Sequence, residues 1–275
     1  MIKGLVYKLE GSYLILKDNE KLNYYYLQRN LMKKFSKYLN KGIYVQFEVI
    51  DKKCVNKNVS YFTIKHFIEI SNKKTRNKKV YYSINLFRDG IKDLIQNLEY
   101  TVFIDFEFNM YDYFTKDFIG EIIEVGYCVC DNNLNIIKEK HMYLNPTKMK
   151  KVTKRTVKFL SYKPEQLKNR LEYKVFYKDF KNLIKQYNPH FVVWGKSDID
   201  NLRQSFSLNN VEHTMFKFID LSQVHVNYYN LKNTPGLFKT AEEYNNIELP
   251  KQKHNALEDA LMTKLVFSGF KETIK

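Results

Sequence analysis

The run "TVFIDFEFN" at residues 101–109 alternates apolar residues with two acids, Asp105 and Glu107. Val102, Phe103, Ile104, Phe106 and Phe108 read as a buried strand. On a strand, successive side chains alternate faces, so the two carboxylates share a face about 6–7 Å apart. Like charges at that spacing repel, and burial adds a desolvation cost. Such a pair is kept where a cation sits between the carboxylates or where the strand opens into a wet cleft.

Two more acidic sites fall where the chain would leave a sheet. "FVVWGKSDIDNLRQ" puts Asp198 and Asp200 just after an apolar run and at the start of a helical pattern, and "HNALEDALMT" puts His254 five residues before Asp259. On a helix Asp198 and Asp200 lie about 200° apart, so a single cluster can take only one of them. Asp105, Glu107, Asp198 or Asp200, His254 and Asp259 can thus gather at one end of a sheet. Four carboxylates without cations would be strongly destabilising. Oxygen-rich sites of this type suit Mg²⁺ or Mn²⁺.

The elements needed to bring these residues together are legible from residue 101 onward. Strands are expected at 101–108, 121–130 and 134–143, helices near 164–171 and 175–187, and a strand at "HFVVWG". A helix opening near Ser197, a strand near 215–220 and a closing helix in "HNALEDALMTKLVFSGF" follow. Strands first and alternating elements afterwards predict an α/β domain, a mixed sheet with helices on both faces. Glu121 and Glu124 read as strand-edge acids, Trp194 as core, and His66, His141, His190, His213 and His225 as surface or satisfied core residues.

"FIDFEF", "EIIEVGYCV", "WGKSDIDNL" and "HNALEDA", in that order, resemble the successive motifs of the DEDDh 3′–5′ exonucleases of the ribonuclease H-like superfamily. The resemblance covers residues 100–270. It is closest to the RNA-trimming branch typified by the histone-mRNA exonuclease, through "EIIEVGYCVCDNNLNIIKEKHMYLNP" and the Trp-Gly before the third motif. It implies that Asp105, Glu107, Asp198 and Asp259 hold two Mg²⁺ or Mn²⁺ ions and that His254 is the general base. It further implies single-stranded RNA 3′ ends as substrate and nucleoside 5′-monophosphates as product. The insertion-like "NMYDYFTKDFIG" departs from the family pattern and leaves the 109–120 loop unassigned.

Residues 1–70 have a different grammar: short aromatic and apolar runs, "IKGLVYKL", "SYLILK", "LNYYYL", "IYVQFEVI" and "SYFTIKHFIEI", with a helical pattern ending at Gly42 between the third and fourth. Three strands, a helix and two strands is the order of an OB barrel, which binds oligonucleotides on its second and third strands. Those strands carry Tyr13, Tyr24 and Tyr26 interleaved with Lys17 and Lys21, and Tyr24 and Tyr26 share a face, as a base-stacking platform needs. The spacing also resembles cold-shock-type OB domains. The basic run 71–79 and a helical stripe from Ile84 to Leu98 read as linker and connector over 71–99, leaving 100–275 as the exonuclease-like domain.

The net charge of +16 suggests a polyanionic partner. Residues 1–100 hold 20 basic and 9 acidic side chains, a net +11, and residues 101–275 hold 26 and 21, a net +5. With 44% apolar residues the chain is not generally disordered. No stretch approaches the roughly 18 uninterrupted apolar residues of a membrane helix, and "MIKGLVYKLEG" resembles no secretory leader. Three cysteines, two of them as Cys-x-Cys, make a poor zinc signature and read as a reduced, cytoplasmic chain. Two other functions fit less well: the same chemistry on single-stranded DNA, since the carboxylates serve both polymers, and a non-catalytic RNA-binding protein.

Overall fold

A computed structural model of the chain describes residues 1–56, 59–72, 78–111 and 120–275. Most of the basic run 71–79 and of the 109–120 loop therefore lies outside the described residues. The chain divides into two compact units, Met1–Gly90 and Ile91–Lys275.

The first unit contains β1 (Ile2–Glu10), β2 (Tyr13–Asp18), β3 (Lys21–Tyr26), α1 (Arg29–Phe35), β4 (Ile43–Asn56), β5 (Val59–Asn72) and β6 (Val80–Ser83). Their order is β3-β2-β1-β4-β5-β6, and a parallel β3–β5 pairing closes β1–β5 into a barrel with α1 between the third and fourth strands. Closure removes the exposed edges that an open sheet would leave. The arrangement is consistent with the OB-like barrel expected. Leu14, Leu16, Tyr25, Val45, Phe47 and Phe67 fill its interior. β6, in a stretch read from sequence as linker, pairs with β5, and α2 (Ile84–Gln96) follows it.

The second unit is built on β7 (Thr101–Asn109), β8 (Glu121–Cys130), β9 (Ile136–Tyr143), β10 (His190–Val193) and β11 (Lys217–Asp220), in the order β11-β10-β7-β8-β9. β10 runs parallel to β7 and β11, while β7–β8 and β8–β9 are antiparallel. The sheet is mixed, as the sequence predicts. Val102, Ile104 and Phe106 pack with Phe176 and Phe180 of α5 (Tyr173–Tyr187) and with Ile199, Leu202 and Phe206 of α6 (Lys196–Leu208). On the other face, Phe103 packs with Val266, Phe267 and Phe270 of α9 (Ala256–Thr273), and with Leu221 of α7 (Leu221–Tyr229) and Ala241 of α8 (Leu237–Asn245). By alternation Asp105 and Glu107 belong to the α9 face. Two short helices follow β9, α3 (Lys154–Phe159) and α4 (Pro164–Lys168). The sequence pattern does not announce α3, α7 and α8, which are short and lie against an already formed sheet. Among the described residues no helix is long and apolar enough to cross a membrane.

Candidate active site

The parallel strands β7, β10 and β11 end on the same side of the sheet, where ligand sites of open α/β sheets form. Asp105 and Glu107 stand near the end of β7. Asp198 sits in the first turn of α6, which starts after Gly195 at the exit of β10. Gly195 has φ 139°, a positive value that glycine tolerates and that turns the chain sharply into α6. Asp198 is buried, whereas Asp200 is turned toward solvent and pairs with Lys196 at 3.2 Å. The structure therefore brings Asp198, and not Asp200, to the cluster.

α9 supplies the fourth side. Asn255 caps it by accepting a hydrogen bond from the Glu258 N–H at 3.0 Å, His254 precedes the cap with φ 53°, and Asp259 is buried in the first turn. Glu107, His254 and Asp259 each place one ligand-type atom within 4.8 Å of the other two, close enough to hold a metal ion. The ring of Phe159, half exposed at the end of α3, lies 4.7 Å from that of His254.

Desolvation and like charge govern this site. Burial, reinforced by Asp198, Asp259, Glu107 and Glu124, holds the Asp105 carboxyl well above the usual range. Burial followed by the charges of Glu124, Asp259 and Asp198 pushes Glu107 up to about 8. Burial with Asp220 and Asp259 raises Asp198 to about 7. Burial also raises Asp259, opposed by a 2.7 Å hydrogen bond that Gln252 Nε2 donates to its Oδ2 and by His254. Its other oxygen, Oδ1, is buried with no hydrogen-bond partner among the described residues. Crowded carboxylates and an orphaned buried oxygen are what a divalent cation satisfies, so this donor set fits one.

Three contributors escaped the sequence reading. Glu124 is not an edge acid: it is fully buried opposite Glu107 on the interior strand β8, between β7 and β9. Its Oε1 accepts from the Ala256 N–H at 3.0 Å and lies 2.7 Å from His141 Nε2, while Oε2 accepts from the Tyr162 hydroxyl. Glu121 is equally buried, and its carboxylate accepts from the N–H groups of Thr147, Lys148 and Met149 at 2.5–2.8 Å. Both corrections have one cause: a strand flanked on both sides keeps acids only where donors converge on them. The third contributor is Gly126. A Cβ there would lie 2.1 Å from the Leu257 nitrogen, so only glycine lets α9 settle on β8. The signal in the sequence was the glycine in "EVGYC", which a plain strand does not need.

The exonuclease family model (RNase T) matches residues 102–267. The chain belongs to the exonuclease family. The exonuclease is 32% identical over 170 residues to the "Probable 3'-5' exonuclease KapD" of Bacillus subtilis, spanning 60% of this chain and 80% of that one. It is a 3′–5′ exonuclease, a hydrolase. Its fold matches the nuclease domain of 3′hExo, a DEDDh family member bound to rAMP, with a TM-score of 0.55 at 18% identity over 64% of this chain and 92% of that one. It also matches a 3′-exonuclease in 3′-end-specific recognition of the histone mRNA stem-loop, with 0.56 at 18% over 64% and 83%. Cell-death related nuclease 4 gives 0.53 at 19%, over 64% of each chain. These likenesses establish the ribonuclease H-like exonuclease fold of the second unit.

In the first unit, the ring of Tyr13 lies 5.7 Å from Tyr26 and 5.4 Å from Tyr61, edge to face. Tyr13, Ile15 and Tyr24 line a groove of about 340 Å³ together with Glu10, Asn56 and Val59. Strand register places Tyr13, Lys17, Tyr24 and Tyr26 on the outer face, whereas Lys21, opposite Asp18 at the hairpin end, alternates with the core residue Tyr25. Lys21 is thus separated from the tyrosine face.

Proposed function

We propose that the exonuclease removes nucleotides from the 3′ end of single-stranded RNA, releasing nucleoside 5′-monophosphates, with two Mg²⁺ or Mn²⁺ ions held by Asp105, Glu107, Asp198 and Asp259. The observation that carries the metal is the gathering of four carboxylates with raised pKa values, one of which, Asp259, keeps a buried Oδ1 without a hydrogen-bond partner among the described residues. When bound, divalent ions stabilise the attacking and leaving oxygens of an in-line phosphoryl displacement. His254 accepts the proton of the attacking water, a task that neutral imidazole performs near pH 7. The Phe159 ring against His254 limits how far that imidazole can swing.

The choice of RNA rests on the resemblance of "EIIEVGYCVCDNNLNIIKEKHMYLNP" and Trp194-Gly195 to the RNA-trimming branch. The first unit adds affinity through Tyr13, Tyr24 and Tyr26, with Lys17 beside them, since stacking on aromatic rings tolerates any base. The deciding experiment is turnover of 3′-labelled RNA and DNA oligomers of one sequence, with Mg²⁺, Mn²⁺ or a chelator. RNA should be shortened from its 3′ end to monophosphates only with metal. Equal or faster turnover of DNA would move the substrate to single-stranded DNA.

A further inference from the structure

In the second unit, positive charge is concentrated in one segment. Residues 148–170 hold nine basic side chains and one acid, while the remainder of 101–275 holds 17 basic and 20 acidic. The modest +5 of this region is therefore the sum of a strongly basic segment and an acidic remainder. Lys150, Lys151, Lys154, Lys158, Lys163 and Lys168 are all exposed, and among the described residues none of them is in an ion pair. Lys154 and Lys158 stand one turn apart on the same face of α3.

The segment is fastened to the strand that carries the catalytic acids. Asn109, two residues beyond Glu107 and fully buried, donates from Nδ2 to the Lys151 carbonyl at 3.0 Å. Its Oδ1 accepts from the Thr153 N–H at 3.0 Å and from the Thr156 hydroxyl at 3.1 Å. Thr153 Oγ1 donates to the Met110 carbonyl at 2.6 Å, and the Met110 N–H donates to Thr156 Oγ1 at 2.8 Å. The buried Glu121 carboxylate holds the preceding turn through three N–H groups. At the far end of α3, Phe159 meets His254. A basic strip held this firmly, with its inner end at the candidate base, faces whatever polyanion reaches the carboxylates.

We infer that residues 148–168 form the track for the sugar–phosphate backbone of the strand whose 3′ end enters the site. The exposed lysines take successive phosphates, and Lys151, Lys154 and Lys158 take those next to the cleavage point. This rests on the carboxylate cluster being the phosphodiester-cleaving site. It moves much of the electrostatic affinity from the first unit to the second.

The test uses the full chain with Lys151→Gln, Lys154→Gln and Lys158→Gln combined. A control replaces Lys174, Lys178 and Lys185, exposed on α5, by Gln, changing the total charge equally. Initial rates are read on a 20-nucleotide single-stranded RNA and on a dinucleotide across a salt series. Each lost phosphate contact lowers the salt slope by about 0.7, so the triple variant should lose about 2 in slope and gain about tenfold in KM on the 20-mer. Its loss on the dinucleotide should be several-fold smaller, and the control should match the wild type. An unchanged slope on the 20-mer, or an equal change in the control, overturns the track. Absence of turnover in the wild type on both substrates instead overturns the reading of the site, which separates the two failures. Should the triple variant fold poorly, Lys154→Gln with Lys158→Gln alone must lower the slope by about 1.4.

Discussion

Asp105 on β7 and Gly126 on β8 are cross-strand partners, and Gly126 is the point where the first turn of α9 touches the sheet. The same ladder step that presents Asp105 therefore fixes the height of the helix that bears Asp259, and sets His254 beside it.

Gly126→Ala should push α9 off β8, since the added methyl would overlap the backbone of Ala256 and Leu257. Overpacking of this kind costs about 1–3 kcal/mol. Displacing His254 and Asp259 by about 1 Å should lower kcat by about 10². Thermal unfolding and single-turnover rates measure the two effects separately.

Asp198→Asn should lower kcat by about 10² or more, whereas Asp200→Asn should stay within about twofold. Asp198 is buried at the cluster, and Asp200 is engaged with Lys196 in an exposed pair whose contribution is small. The reverse ranking in a rate assay would put Asp200 in the site.

His254→Ala should cut kcat by about 10² to 10⁴ while Mn²⁺ affinity, read by calorimetry, stays nearly intact, the pattern of a proton acceptor. His254 also stands within ligand range of Glu107 and Asp259. Loss of Mn²⁺ binding in the variant would make it a ligand.

The raised carboxylates set the pH dependence of the metal-free protein. Glu107 titrates near 8 and Asp198 near 7 when folded, both above their ordinary values. Groups raised in this way favour the folded state below the unfolded-state value, and that contribution is lost as pH rises through the folded-state value. The melting temperature without metal should therefore fall between pH 5 and pH 8.5. Each tenfold change in proton affinity carries about 1.4 kcal/mol, and each kcal/mol about 2–4 °C. Asp105→Asn or Glu107→Gln should flatten the fall while abolishing most turnover. Added Mg²⁺ should stabilise more at pH 8.5 than at pH 5, because its ligands must be deprotonated. A flat profile would remove the carboxylate crowding.

Tyr24→Leu with Tyr26→Leu should raise KM for a 20-nucleotide RNA by about tenfold or more and spare kcat, at about 1–3 kcal/mol per stacked base. Because Tyr24 and Tyr26 are only partly buried, the barrel should hold its fold by circular dichroism. An unchanged KM would leave these rings as packing.

The sequence by itself determined which residues are the candidates for the chemistry. Asp105-x-Glu107, Asp198 behind Trp194-Gly195, and His254 with Asp259 are set by short-range spacing, and period-two and helical patterns place them on a strand and two helix starts. The closed barrel of the first unit was likewise legible in its run of short strands. Only the tertiary structure decided what surrounds them. Glu124 reads as an edge acid until β8 is seen between β7 and β9, with the Tyr162 hydroxyl and the Ala256 N–H converging on it. Lys21 looks equivalent to Lys17 until the register assigns them to opposite faces. The basic segment 148–170 shows its place only when Asn109 and Phe159 tie it to the acids. For Glu124 and the basic segment the physical reason is the same: local patterns encode the face a residue takes, whereas the donors, charges and backbone that meet it come from segments far along the chain, 17 and 132 residues away in the case of Glu124.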